Sequence, residues 1–292
     1  DLSERFGIPV VLRLVTRLCH SRALVRPAAP RPQNPMVKAA VPQDWTLLPH
    51  NARRLWRRLL DRLPAIRAEV EASAHNVLIP GEDGAPFAVL TSGIARHYVA
   101  AEAGDLGASL PTLHVGMYPA PAEAIRRLAG RARRLLVIEE GYPFLERQLR
   151  GLLPHGWKVL GKESGALPLD GELSPDLVRA ALGLPTRPHL EASSLPLPGR
   201  PPQLCKGCPH ADSYEAVRVA LAEFPESVVT SDIGCYTLGA LPPYSAIESC
   251  VCMGASVGMA KGAADAGLRP ALAVIGDSTF LHSGVTPLMD AV

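Results

Sequence analysis

Between residues 87 and 183 short apolar runs alternate with amphipathic stretches. The runs "FAVLTSG", "TLHVG", "RLLVIEE" and "WKVLG" are rich in aliphatic residues and bounded by glycine or polar turns, which predicts strands. Helical spacing marks 94–103, 121–130, 143–151 and 174–183 between and after them. Strand and helix in alternation predict a parallel sheet covered on both faces by its crossover helices. The rhythm resumes near the carboxyl end, with a helix at 212–223, a strand at 227–231, a helix at 254–265, a strand at 271–276 and a helix opening after Gly284.

The first residues read differently. "IPVVLRLVTRLC" (8–19) has the composition of a strand, and the stretch 26–42 is proline-rich, which predicts a stiff extended linker. Leu55, Leu59, Leu63, Ile66 and Val70 then recur at helical spacing, with Arg53, Arg54, Arg57, Arg58 and Arg62 elsewhere around the helix. Such a basic face is expected to be solvated, though it could grip an acidic partner. A second proline-rich joint, 184–202, precedes the last alternating unit.

Composition narrows the class. At 292 residues the chain has room for about two domains. A hydrophobic fraction of 47% with 20% charged residues fits a water-soluble globular protein, and a net charge of +2 favours neither nucleic acid nor a membrane surface. No apolar run approaches the ~18 residues of a membrane span. The opening "DLSERFGIPVVLRL" is acidic, lacks a signal-peptide cleavage site and lacks an initiating Met, so the chain is expected to be a fragment. Of six cysteines, Cys205, Cys208, Cys235, Cys250 and Cys252 crowd into one region, which favours metal or redox chemistry over a disulfide framework and a reducing, cytoplasmic setting.

Candidate chemistry sits at strand ends. Gly276-Asp277-Ser278-Thr279 follows the apolar run 271–276. The carboxyl end of such a strand opens onto a crevice where the next helix presents free N–H groups suited to an anion. An aspartate there repels a diphosphate unless a hard cation sits between, and Mg²⁺ takes carboxylate and phosphate oxygens together. The pair can equally cap the next helix. Glu139 and Glu140 end another strand and could be a ligand site or only a polar turn. Gly254, Gly258 and Gly262 recur every four residues, each costing about 1 kcal/mol against Ala in a helix interior. Close approach to a cofactor or plain packing would both account for them.

Four motifs in order, "LCKGCPH" (204–210), "DIGCYTLGALPP" (232–243), "CVCMGAS" (250–256) and "IGDSTFLHSG" (275–284), resemble those of the indolepyruvate ferredoxin oxidoreductase large subunit. That subunit belongs to the thiamine-diphosphate-dependent 2-oxoacid:ferredoxin oxidoreductase family. Upstream, "GIPVVLRLVTRLCHSRALV", "LPHNARRLWRRLLDRL", "LTSGIARHYV", "VGMYPAPAEAI" and "LLVIEEGYPFLERQL" resemble its earlier segments, so the likeness covers nearly the whole chain. It implies an α/β fold of consecutive doubly wound parallel-sheet domains, truncated at both ends. The implied order is the end of a pyrimidine-binding domain (1–25), a linker with a basic helix (26–75), a transketolase-C-terminal-like domain (76–185), a linker (186–202) and the first part of a pyrophosphate-binding domain (203–292).

The resemblance implies thiamine diphosphate and Mg²⁺ as cofactors, with Asp277 on the metal. Gly234, Cys235, Tyr236, Cys252, Met253, Gly254, Ala255, Ser256, Gly276, Ser278 and Thr279 would line the cofactor. Met253 is the candidate prop that keeps the cofactor bent, against the bland reading of a core methionine. His210 and His282 are candidates to move protons near the substrate, or loop histidines satisfied by backbone. In related subunits a Cys-x-x-Cys and a later Gly-Cys supply three cluster ligands, so Cys205, Cys208 and Cys235 could hold a cluster, or zinc with His210 or Cys250, or simply line the crevice. The last is favoured, because the family's [4Fe-4S] clusters are expected in a module outside this chain. The implied reaction is oxidative decarboxylation of an arylpyruvate to an aryl-acetyl-CoA, with ferredoxin as acceptor and a smaller second subunit as partner. A non-oxidative 2-oxoacid decarboxylase and a degenerate, non-catalytic member of the fold are the alternatives. The metal-site asparagine and pyrimidine-side glutamate of the family pattern are not found here, so the chain alone is expected to be inactive.

Overall fold

Along residues 88–92 and 134–138 successive side chains alternate between two hydrophobic clusters. Ala88, Leu90, Leu135 and Val137 pack into one, Val89, Leu136 and Ile138 into the other. That alternation requires both faces of the sheet to be covered, as the run pattern predicts. The computed structural model describes residues 2–30, 32–35, 41–46, 48–82, 84–106, 109–154, 156–188, 198–199 and 201–292, so parts of both proline-rich segments (31, 36–40, 189–197 and 200) lie outside the described residues. The chain divides into two units, Asp1–Leu190 and Glu191–Val292.

The first unit opens with helices α1 (Leu2–Phe6), α2 (Thr16–Cys19) and α3 (Pro49–Glu71). Strand β1 (Val77–Ile79) leads to β2 (Ala88–Ser92), α4 (Ala95–Glu102), β3 (Thr112–Val115), α5 (Ala122–Ala129), β4 (Arg134–Ile138), α6 (Phe144–Gln148), β5 (Lys158–Leu160) and α7 (Pro175–Ala181). The sheet order is β1-β3-β2-β4-β5, parallel except for β1, which runs antiparallel to β3. Helices α5 and α6 cover one face through Ile125, Leu128 and Leu145, and α4 and α7 cover the other through Val99 and Val178. This is a doubly wound sheet.

Two carboxylates pin helix starts in this unit. Glu71 accepts the N–H groups of Glu123 (2.8 Å) and Ala124 (3.1 Å) at the head of α5. Glu139 does the same for α6, accepting from Leu145 (2.8 Å) and Glu146 (2.9 Å). Burial pushes the Glu139 carboxyl up, against the pull of these two amides. Both of its oxygens are therefore engaged in the turn, and the polar-turn reading of Glu139 holds. Glu140 accepts at Oε2 from the Leu173 N–H at 3.3 Å.

Residues 8–19 are not a strand. Val11 and Leu12 are more than four-fifths exposed, and Thr16–Cys19 is helical. Among the described residues no strand runs beside this segment to take its backbone hydrogen bonds, so composition alone cannot make it one. Side chains hold it instead: Arg13 donates to the Glu140 carbonyl (3.3 Å) and Arg17 to Tyr98 Oη (2.6 Å) and Glu172 (3.0 Å). The basic face of α3 is partly committed within the unit as well. Arg54 and Arg58 each reach Asp44 at 2.7 Å, and Arg62 donates to the Phe6 carbonyl at 2.9 Å. Among the described residues, no helix is long and apolar enough to cross a membrane.

Candidate active site

In the second unit α8 (Pro209–Leu221) precedes β6 (Val228–Ser231), β7 (Ser249–Cys250), α9 (Ala255–Asp265) and β8 (Ala271–Val274). The chain then runs through α10 (Asp277–Thr279), a π turn (Phe280–Gly284) and α11 (Val285–Ala291). The strand order is β7-β6-β8, all parallel. Three carboxyl ends thus lie along one edge, and the loops leaving them hold nearly every candidate residue: 232–236, 252–256 and 276–279.

The loop after β6 is organised by Asp232, which is fully buried. One carboxylate oxygen accepts the Ser256 N–H at 2.6 Å, the other the Gly254 N–H at 2.8 Å. The Asp232 carbonyl accepts from Thr237 Oγ1 (2.7 Å), and Thr237 Oγ1 accepts the Gly234 N–H (2.9 Å). The central strand is thereby tied to the head of α9. Since the Ala255 N–H donates to the Cys252 carbonyl at 3.2 Å, the amides of residues 254–256 are all taken internally. What remains for a ligand there is the Ser256 hydroxyl, fully buried and without a hydrogen-bond partner. Sequence reasoning passed over Asp232, although an acid directly after an apolar strand is the same signal that singled out Asp277.

Tyr236 spans two loops. A Cβ on Gly234 would lie 2.2 Å from its ring, and one on Gly276 2.9 Å. Both glycines serve this ring. His210, at the start of α8, stacks edge-on against it with centroids 5.9 Å apart. His210 Nδ1 lies 3.2 Å from Cys208 Sγ and 3.9 Å from Cys235 Sγ. Among the described residues no three His, Cys, Asp or Glu side chains gather as a metal site, and no disulfide forms.

After β8, Asp277 is exposed as the first residue of α10, and one of its oxygens accepts the Ser278 N–H at 2.7 Å. Its other oxygen faces no protein donor among the described residues. Ser278 is exposed, whereas Thr279 is buried. His282 is exposed on the π turn and hydrogen-bonds Ser283, so the two candidate histidines belong to different loops with different partners. Met253 is 51% exposed, which removes the core-methionine reading.

The glycine series resolves unevenly. Gly254 is not inside a helix but precedes α9 at φ +92°, and a Cβ there would meet Ser283 Cβ at 2.5 Å. Gly258 has only ordinary contact with Pro287, and Gly262 has nothing within 4 Å. Among the described residues, neither Gly258 nor Gly262 is needed for close packing.

The groups at this edge fit a magnesium diphosphate: a free carboxylate oxygen on Asp277, the Asp277 and Thr279 N–H groups that open the helical run 277–291, and the orphaned Ser256 hydroxyl. Comparison with known proteins gives the same class. Residues 232–292 match the family model of the thiamine pyrophosphate enzyme C-terminal TPP binding domain.

Kinship extends beyond that domain. Over its whole length the chain is similar to the indolepyruvate oxidoreductase subunit IorA of Methanothermobacter thermautotrophicus (37% identical, 49% of the relative covered) and of Archaeoglobus fulgidus (35%, 48% covered). The Thermococcus kodakarensis subunit of the same name is 29% identical, with 50% covered. The motif resemblance to the indolepyruvate oxidoreductase large subunit is thus borne out, and the chain spans about half the length of the curated relatives it matches. No solved structure matches.

Proposed function

We propose that this chain supplies the diphosphate-holding side of a thiamine diphosphate site. The enzyme would oxidatively decarboxylate arylpyruvates of the indolepyruvate type to aryl-acetyl-CoA and pass electrons to ferredoxin. The observation that carries the proposal is the convergence of three parallel strand ends on an exposed Asp277, within the segment that matches the thiamine pyrophosphate enzyme domain. The relatives' name supports the substrate class, and the word subunit supports a second chain as partner, which we take to be the smaller one.

Bound there, thiamine diphosphate would supply the nucleophile for the 2-oxo carbon and the electron sink that lets carbon dioxide leave. Asp277 would hold Mg²⁺ through its unengaged oxygen, with Ser278 and Thr279 beside the diphosphate. The loop Cys252–Ser256 would face the cofactor with side chains and carbonyls, because the amides of residues 254–256 are spent on Asp232 and Cys252. Met253 is the apolar prop. Gly234, Cys235 and Tyr236 form the floor between the β6 and β8 loops, with Gly276 under the Tyr236 ring. His210, half-buried at the start of α8, and His282, exposed on the π turn, would each present a ring nitrogen that can take or give a proton. The iron–sulfur clusters belong to parts of the protein outside these residues, and the unpaired thiols support a reducing, cytoplasmic setting.

Titration calorimetry on the full complex tests the site. Asp277→Ala should weaken Mg²⁺-dependent thiamine diphosphate binding by about tenfold or more, the loss expected for one charged ligand. Unchanged affinity would place the metal elsewhere.

A further inference from the structure

The slot between α4 and the outer strands of the five-stranded sheet takes no part in the chemistry above. Val77 and Ile79 on β1 stand opposite His114 and Thr112 on β3, and Thr91 on β2 stands opposite His114, so all five share one face. Helix α4 should cover that face, yet beyond Arg96 and Val99 the slot is met only by the small residue Ala100 and, just past the helix end, by Ala103 and Gly104. A short helix that ends in residues this small cannot fill the space above β1. A cavity of about 640 Å³ is left, within the usual size range of small-molecule sites.

Its polarity is graded. Arg96, Thr91 and His114 lie toward the carboxyl ends of β2 and β3. Among the described residues the Arg96 guanidinium makes no ion pair or hydrogen bond. Thr91 is fully buried, with Oγ1 3.1 Å from His114 Nδ1. Burial first, then the charges of Arg96 and His97, hold His114 down to about 4, so its ring is neutral near pH 7 and adds no charge to that of Arg96. At the opposite end Glu82 is held by Ser109: its N–H donates to the Ser109 carbonyl at 2.7 Å, and its Oε1 accepts the Ser109 N–H at 3.3 Å. Ile79, Val99, Leu106 and Leu110 supply apolar wall between the two ends.

We propose that this slot binds a small organic carboxylate with a flat apolar body, its carboxylate on Arg96 and a hydrogen-bond donor at its far end facing Glu82. A free guanidinium matches a carboxylate in two parallel hydrogen bonds. From Arg96 to Glu102 the six residue steps of α4 rise about 9 Å, close to the length of an aryl-propionate with a para donor. The cavity belongs to the first unit and its ligand does not depend on the reading of the thiamine site.

The test is calorimetry with 3-(4-hydroxyphenyl)propionate on the 292-residue chain, alongside NMR of the His114 ring. Binding should shift the His114 resonances. Arg96→Gln, or replacing the ligand carboxylate by its amide, should each weaken binding by about tenfold or more. Ala103→Leu should fill the slot and block binding without lowering the melting temperature. No heat and no His114 shift at millimolar ligand would overturn the proposal, as would equal affinity for the amide or for the Arg96→Gln protein.

Discussion

Asp232 and Ser256 are joined across the second unit by a 2.6 Å hydrogen bond from the Ser256 N–H to the buried carboxylate. A charged acceptor at the head of an eleven-residue helix gains from both the hydrogen bonds and the helix dipole. Asp232→Asn keeps the shape but loses the charge and turns one donor toward the Gly254 amide. It should cost about 2 kcal/mol, and Asp232→Ala more. Hydrogen exchange of the α9 amides reads this directly; wild-type protection in Asp232→Asn would show that the cap contributes little.

Gly254 and Gly262, eight residues apart, should respond to alanine with opposite signs. Gly254→Ala forces a side chain into φ +92° and against Ser283, a loss of about 2 kcal/mol or more. Gly262→Ala, in the open interior of α9, should gain up to about 1 kcal/mol. Urea midpoints for the pair settle whether packing or helix propensity governs each site.

His114 makes the first unit sensitive to acid. Its folded value of about 4 lies below the ordinary 6.5, so between those values the unfolded chain binds more protons. The stability it supports is present above pH 6.5 and is lost as pH falls toward 4. Trp45, Trp56 and Trp157 all belong to this unit, so tryptophan fluorescence reports its unfolding. The urea midpoint should fall across that window in wild type and fall less in His114→Gln.

Ligand counting also gives an outcome for the thiols. Cys208 and Cys235 both approach one nitrogen of His210, and no third soft ligand joins them among the described residues. Protein purified without oxygen should carry neither stoichiometric iron nor zinc, and no broad band near ~400 nm. Stoichiometric iron by elemental analysis would restore the cluster reading.

Most strands were legible because β2 and β4 are buried on both faces and read as unbroken apolar runs. The exceptions are instructive. β1 and β7, of three and two residues, are too short to leave a pattern, and they exist only because β3 and β6 offer them partners. Residues 8–19 failed the other way, with strand composition and no partner. At the site, Asp277 was visible because an acid after an apolar run is anomalous on its own. The work of Asp232 was not, since it depends on amides 22 and 24 residues further on.

The Tyr236 ring has one more use. Wedged between Gly234 and Gly276 and stacked on His210, it cannot rotate unless the loops around it move apart. The two sides of such a ring give separate NMR signals when rotation is slow and a merged signal when it is fast. The protein therefore carries its own gauge of how tightly the crevice is closed, readable without any added label.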